Sequence, residues 1–129
     1  MKRRIILEFK NNSPIYLQVI NDIKHRIVSG EIKLGEKLLS TRELAVLYQI
    51  NPNTAVRVYN EMEAEKICFT KRGLGTFVTE DEDKFYSLKE EMAREYIENY
   101  IHGMKGLGIN KEEMIKYIET YFNESNTED

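Results

Sequence analysis

A mainly α-helical chain carrying one small β-hairpin is what this 129-residue sequence predicts, and three observations predict it. Apolar residues return with the period of a helix in five stretches, each opened by a capping residue or closed by glycine. Two short β-type runs, ICFT and TFVT, flank a single glycine-containing turn, KRGLG. An acidic run, EDED at residues 80–83, then separates two further helical stretches that cannot enclose a core by themselves.

Residues 4–9, RIILEF, have the apolar and β-branched content of a short strand. NNSP turns the chain, with Ser13 placed to cap a helix over about 15–29 and Pro14 at its first position. Tyr16, Val19, Ile20, Ile23 and Ile27 form the apolar stripe of that helix, and Gly30 suits the left-handed position past its end. EIKLGEKLLS is too short and interrupted for another long helix and reads as a turn that delivers Ser40. Ser40 and Glu43 have the spacing of a capping box for a short helix over 41–48, which buries Leu44, Ala45, Leu47 and Tyr48.

Only Gln49 and Ile50 stand between that helix and the next cap, Asn51, which is followed by Pro52 at the first helical position. Ala55, Val58, Tyr59 and Met62 carry the stripe of this helix towards Lys66. Two short helices joined so tightly make a helix-turn-helix, although the glycine often found in its turn is missing. The hairpin that follows, with Lys71 and Arg72 at its tip and Gly73 and Gly75 to bend it, adds a wing.

Beyond EDED, Phe85, Leu88, Met92, Tyr96, Ile97, Tyr100, Ile101 and Met104 mark a long amphipathic helix over about 84–104 that stops in GMKGLG. Asn110 caps a last helix over about 111–123, with Met114, Ile115, Ile118, Tyr121 and Phe122 apolar, before a polar tail, NESNTED, expected to be disordered. The expected organisation is an N-terminal winged helix-turn-helix over residues 1–79 and a C-terminal two-helix dimerisation or effector region over residues 80–129. Two such helices need a partner for their apolar faces, and a second copy of the chain is the expected one.

Composition narrows the function. No apolar run approaches the ~20 residues of a membrane span, so no membrane partner is expected. The single cysteine, Cys68, excludes an internal disulfide framework and suits the cytoplasm. His25 and His102 lie far apart without further ligands, so no metal, no cofactor and no catalytic set is expected. The net charge of −3 hides an asymmetry: residues 1–79 hold 13 basic and 8 acidic residues, and residues 80–129 hold 6 and 14. A positive first part fits a polyanion partner, although a solvated acidic linker beside a chance basic excess gives the same count.

The helix opened by Asn51 carries Asn53, Arg57 and Asn60 on its outer face. Asparagine pairs bidentately with adenine and arginine with guanine in a major groove, so this face reads as a base reader. Thr54 can bond a phosphate at the helix N-terminus, and Arg42 can reach the DNA backbone or a guanine from the preceding helix. Lys71, Arg72 and Gly73 can lay a cation against the minor groove. The aromatic C-terminal residues Phe85, Tyr86, Tyr96, Tyr100, Tyr117, Tyr121 and Phe122, with the aliphatic Leu88, Met92 and Ile118 beside them, fit either a dimer interface or a pocket for a small apolar effector. A module that uses the same helix face to bind protein, without DNA specificity, is the alternative.

PIYLQ, SGEIKLG, LLSTRELA, NPNTAVRVY and RGLGTFV, in that order across residues 14–78, resemble the winged-helix domain of the GntR family of bacterial transcription regulators. The short two-helix tail and NPNT are similar to its YtrA-like subfamily. The resemblance implies a homodimer on an inverted-repeat operator, usually repressing a nearby operon, often one for an ABC transporter. It also implies DNA contacts at Ser40, Arg42, Asn51, Asn53, Thr54, Arg72 and Gly73, to which Arg57 and Lys71 are added from the faces read above. Leu34 and Leu39 stand where the family usually has proline, which loosens the turn before Ser40 and removes no DNA-contacting group.

Overall fold

The computed structural model describes residues 12–126 together with Phe9. The strand expected over residues 4–9 lies, Phe9 apart, outside the described residues. Helices α1 (Ile15–Val28), α2 (Thr41–Tyr48) and α3 (Pro52–Ala64) precede strands β1 (Cys68–Lys71) and β2 (Gly75–Val78), and helices α4 (Glu82–Gly106) and α5 (Lys111–Asn126) follow. The chain forms two compact units, Met1–Lys89 and Glu90–Asp129.

In the first unit the helical stripes close on one another. Val19, Ile20, Ile23 and Ile27 of α1, Leu44, Ala45 and Tyr48 of α2, and Ala55, Val58, Tyr59 and Met62 of α3 are all buried. Each fully enclosed aliphatic side chain, such as Ile23 or Leu44, contributes about 1.5–3 kcal/mol. Leu47 is only half-buried, because it falls off the stripe that meets the core. Ser13 does not cap α1: Pro14 holds the cap position without a side-chain bond, and the Gln18 amide donates back to the Ser13 carbonyl at 2.8 Å.

Two helix ends depart from the expected glycine chemistry. Gln49 takes the left-handed conformation, φ 54, and the N–H of Ile50 reaches the Ala45 carbonyl at 3.0 Å. Helix α3 ends at Ala64, short of the expected Lys66, because Lys66 itself turns left-handed, φ 62, while Ile67 donates to Met62 at 2.9 Å. A non-glycine residue there costs roughly 1–2 kcal/mol, offset by the carbonyls its turn satisfies. The tight turn between α2 and α3 therefore needs no glycine.

The wing is antiparallel, with Cys68 opposite Val78, Phe69 opposite Phe77, Thr70 opposite Thr76 and Lys71 opposite Gly75. Strand alternation sends Cys68 and Val78 into the core and stacks the Phe69 and Phe77 rings at 5.9 Å on the opposite face. The segment read as a plain turn before Ser40 does more than deliver the chain. Lys37 bridges to Phe77, Leu38 donates to Thr76 at 2.8 Å, and Val78 donates to Glu36 at 2.9 Å, so this segment lengthens the wing sheet by one edge.

The acidic run also starts a helix. Asp81 accepts from the N–H of Asp83 at 2.9 Å, and Glu82 and Asp83 lie in the first turn of α4, where carboxylates favour the positive helix end. Helix α4 runs through Gly103 and ends at Gly106, inside the glycine-rich segment expected to stop it, and the left-handed residue beyond it is Gly108, φ 76. Asn110 caps α5 as expected, accepting from Glu113 at 2.9 Å. Residues 123–126, expected in a disordered tail, continue α5, and residues 127–129 lie outside the described residues.

Within the second unit the Tyr100 hydroxyl donates to the Met114 carbonyl at 2.7 Å and joins α4 to α5. Met114 is the one buried apolar residue among the described residues of this unit. Tyr96, Ile97, Ile101, Ile115, Ile118, Tyr121 and Phe122 are exposed.

Candidate nucleic-acid interface

The α2–α3 pair is fixed locally by its caps. Ser40 and Glu43 form the full capping box, with bonds of 3.0 and 3.1 Å, and Asn51 accepts from the N–H of Asn53 at 2.8 Å. The side chains of Ser40 and Asn51 are therefore already engaged in starting the helices whose first turns carry Arg42 and Asn53. Behind them a polar clamp joins α1 to α2: Asp22 accepts from Arg26 at 2.9 Å and from the Tyr48 hydroxyl at 2.7 Å, and Arg26 also pairs with Glu31. Burial alone would disfavour the Arg26 charge, but the hydrogen bonds from Asp22 and Glu31 outweigh it and raise its pKa. Burial, and then the bond to Asp22, holds the Tyr48 hydroxyl protonated well above its ordinary range.

On the outer side of α3, Asn53, Arg57 and Asn60 are all exposed, and Thr54 is half-buried. The structure brings Asn53, Thr54 and Arg57 onto one helix and leaves Arg42 exposed on its neighbour. Arg57 does not reach freely into solvent. Its guanidinium lies 3.6 Å from the centroid of the Tyr16 ring on α1, and its Nε is 4.0 Å from Glu61.

The wing differs from its sequence reading at one residue. Lys71 is the last residue of β1 rather than part of the tip, and its Nζ lies back along the sheet, 5.6 and 5.0 Å from the Phe69 and Phe77 rings. The tip is Arg72, Gly73 and Leu74, closed by the Leu74 N–H to the Lys71 carbonyl at 2.9 Å. Gly73 has φ 79 and open space where a side chain would stand, so the backbone there can approach a groove closely.

Three residues near these positions escaped the sequence reading. Tyr16, expected in the core stripe, is half-buried and forms the platform under Arg57. Lys37 packs across Gly75, its Cε 2.8 Å from where a Cβ on that glycine would stand, which sets a further cation beside the wing. Leu74 puts an apolar side chain, 61% exposed, at the wing tip. The alternation of Lys37 with the buried Leu38 was the available signal for an edge strand; nothing local in sequence links Tyr16 to Arg57.

Cys68 is buried, and burial followed by the nearby Glu63 charge pushes its thiol up to about 12, so it is a small core residue. Among the described residues no group of three or more His, Cys, Asp or Glu is placed to hold a metal, and no helix is long and apolar enough to cross a membrane. In the second unit the Tyr117 and Tyr121 rings stack at 6.2 Å beside a hollow of about 410 Å³ lined by Glu113, Lys116, Tyr117, Thr120, Tyr121 and Glu124. Of the residues named from sequence for an effector pocket, Tyr117 and Tyr121 border it.

A capped helix pair with an amide and guanidinium face on its second helix, followed by a basic hairpin, is a winged helix-turn-helix of the DNA-binding kind. Residues 15–78 match the model of the gntR family of bacterial regulatory proteins. Over 114 residues, 88% of this chain and 94% of the relative, the chain is 43% identical to the uncharacterized HTH-type transcriptional regulator YhcF of Bacillus subtilis (strain 168). It is 36% identical to the HTH-type transcriptional repressor YtrA of the same organism, across 78% of this chain and 82% of that one. A GntR family transcriptional regulator from Listeria monocytogenes superposes with a TM-score of 0.82 at 41% identity, covering 87% of this chain and 98% of that one. The chain belongs to the GntR family, in its YtrA-like form, and is a DNA-binding transcription regulator rather than an enzyme.

Proposed function

We propose that this regulator works in the cytoplasm as a homodimer that binds an inverted-repeat operator and represses transcription from it. The observation that carries the reading is the outer face of α3, where Asn53 and Arg57 offer base-pairing geometry beside an engaged helix cap. In this reading Asn53, Thr54 and Arg57 enter the major groove, and Asn51 and Ser40 hold the helix starts against the phosphates. Arg42 meets the backbone, and Lys71, Arg72 and Gly73 follow the adjacent minor groove. Support for the dimer comes from the exposed apolar residues of α4 and α5, and support for repression from the similarity to YtrA, itself a repressor. Two-fold symmetry then sets the half-sites about one helical turn, ~10 bp, apart.

Selection of duplexes from a random pool by the purified protein, repeated at two salt concentrations, tests this. An inverted repeat enriched at both is the expected result. Weak enrichment without a sequence motif would refute operator specificity and favour a module that binds protein, unless bulk-DNA retention still falls steeply with salt, which is the mark of phosphate contacts.

A further inference from the structure

We propose that Tyr16 is a positioning residue for base reading: its ring holds the Arg57 guanidinium oriented before DNA arrives, so the two side chains select one base pair together. This rests on the reading of α3 as the helix that enters the groove. Tyr16 is the second residue of α1 and Arg57 the sixth of α3, so only the packing of these helices brings them together. At 3.6 Å from the ring centroid the guanidinium is stacked on the ring face.

Stacking engages the flat face of the guanidinium and leaves its N–H donors, which lie in the plane, pointing outward. Those in-plane donors are the ones a guanine edge accepts through O6 and N7. A carboxylate in the place of Tyr16 would orient the arginine too, but it would consume its donors and repel phosphate; a neutral ring does neither. The Glu61 carboxylate, 4.0 Å away and half-exposed, is too distant for a hydrogen bond. An unsupported arginine loses rotamer freedom on binding, and one already stacked has less to lose. The burial of α1 does not demand an aromatic at this position, since Val19, Ile20, Ile23 and Ile27 are buried while Tyr16 stays half-exposed.

The test is a double-mutant cycle read on the duplex that the wild-type protein enriches from a random pool. Tyr16→Leu should weaken binding about three- to ten-fold and relax preference at one base pair. Tyr16→Phe, which keeps the ring, should bind as wild type, and in an Arg57→Ala background Tyr16→Leu should have no further effect. Equal losses with and without Arg57, or a loss in Tyr16→Phe, would overturn the proposal, because the hydroxyl or the helix would then act independently of Arg57. A second readout needs no variant to fold: in the free wild-type protein the Arg57 side-chain protons should be shifted upfield by the ring current. Unshifted protons would overturn the stack itself. If those protons are shifted but the wild type enriches no duplex, the operator reading fails and takes the role in base reading with it.

Discussion

The two units of the chain differ in how far they close their own cores. In the winged helix every helix contributes buried apolar residues, and Val19, Ile23, Leu44, Ala55, Val58 and Met62 are fully enclosed. In residues 90–129 the same helical periodicity leaves Ile97, Ile101, Ile118, Tyr121 and Phe122 in solvent, and among the described residues Met114 alone is buried. The lesson is that an apolar stripe specifies a helix but not its partner. Three short helices and a sheet surround a common centre, whereas two helices side by side leave half of each stripe uncovered. A surface of that kind is stable in water when a second copy covers it.

The sharpest way to break this contrast is to charge the open stripe. Ile97→Glu or Ile118→Glu should separate the dimer and lower operator affinity by about 100-fold or more, since an unpaired carboxylate facing apolar surface costs several kcal/mol. Sedimentation together with operator titration reads both effects. Either variant staying dimeric at full affinity would place the interface elsewhere. Truncation inside the closed unit acts on stability instead: Ile23→Ala should cost about 2–5 kcal/mol in denaturant unfolding. A loss below ~1 kcal/mol would mean that the first unit is packed more loosely than its burial implies.

Smaller effects sharpen the account of how the helix pair is set. Ser40→Ala removes one half of the capping box and should cost about 1 kcal/mol, measured by the shift of the thermal midpoint. The alkaline limb of stability reports the buried hydroxyls and thiol, and it leaves pH 7 untouched. Cys68, Tyr48 and Tyr59 are all held neutral in the fold, chiefly by burial, so their folded pKa values lie above the unfolded ones. Stability is therefore complete below the unfolded values and is lost as pH rises above about 9, through 12 for Cys68. In Cys68→Ala the fall should begin about one unit later, near the ordinary tyrosine range. An unchanged profile would show that the thiol does not contribute.

How much of this was legible in the sequence follows from how local each cause is. The caps at Ser40, Asn51 and Asn110 bond within three residues of themselves, and each stands where its side chain and spacing placed it. GMKGLG stops α4 as its glycines suggested, although only at Gly106, because a helical glycine costs only about 1 kcal/mol and Gly103 is carried in the helix. The acids of EDED also start α4, since carboxylates that disfavour a core favour a helix start. The bridge from Lys37 to Phe77 and the stack of Arg57 on Tyr16 each join residues about forty apart, and no periodicity within one element announces such a meeting. The face of α3 was legible because helical spacing alone sorts Asn53, Arg57 and Asn60 from Ala55, Val58, Tyr59 and Met62.

Sedimentation equilibrium of the intact protein at micromolar concentration tests most directly the claim that a second copy closes the second unit. A species of twice the 15.2 kDa chain mass is expected, converted to the single-chain mass by Ile118→Glu. A wild-type protein that sediments at 15.2 kDa under the same conditions would contradict it.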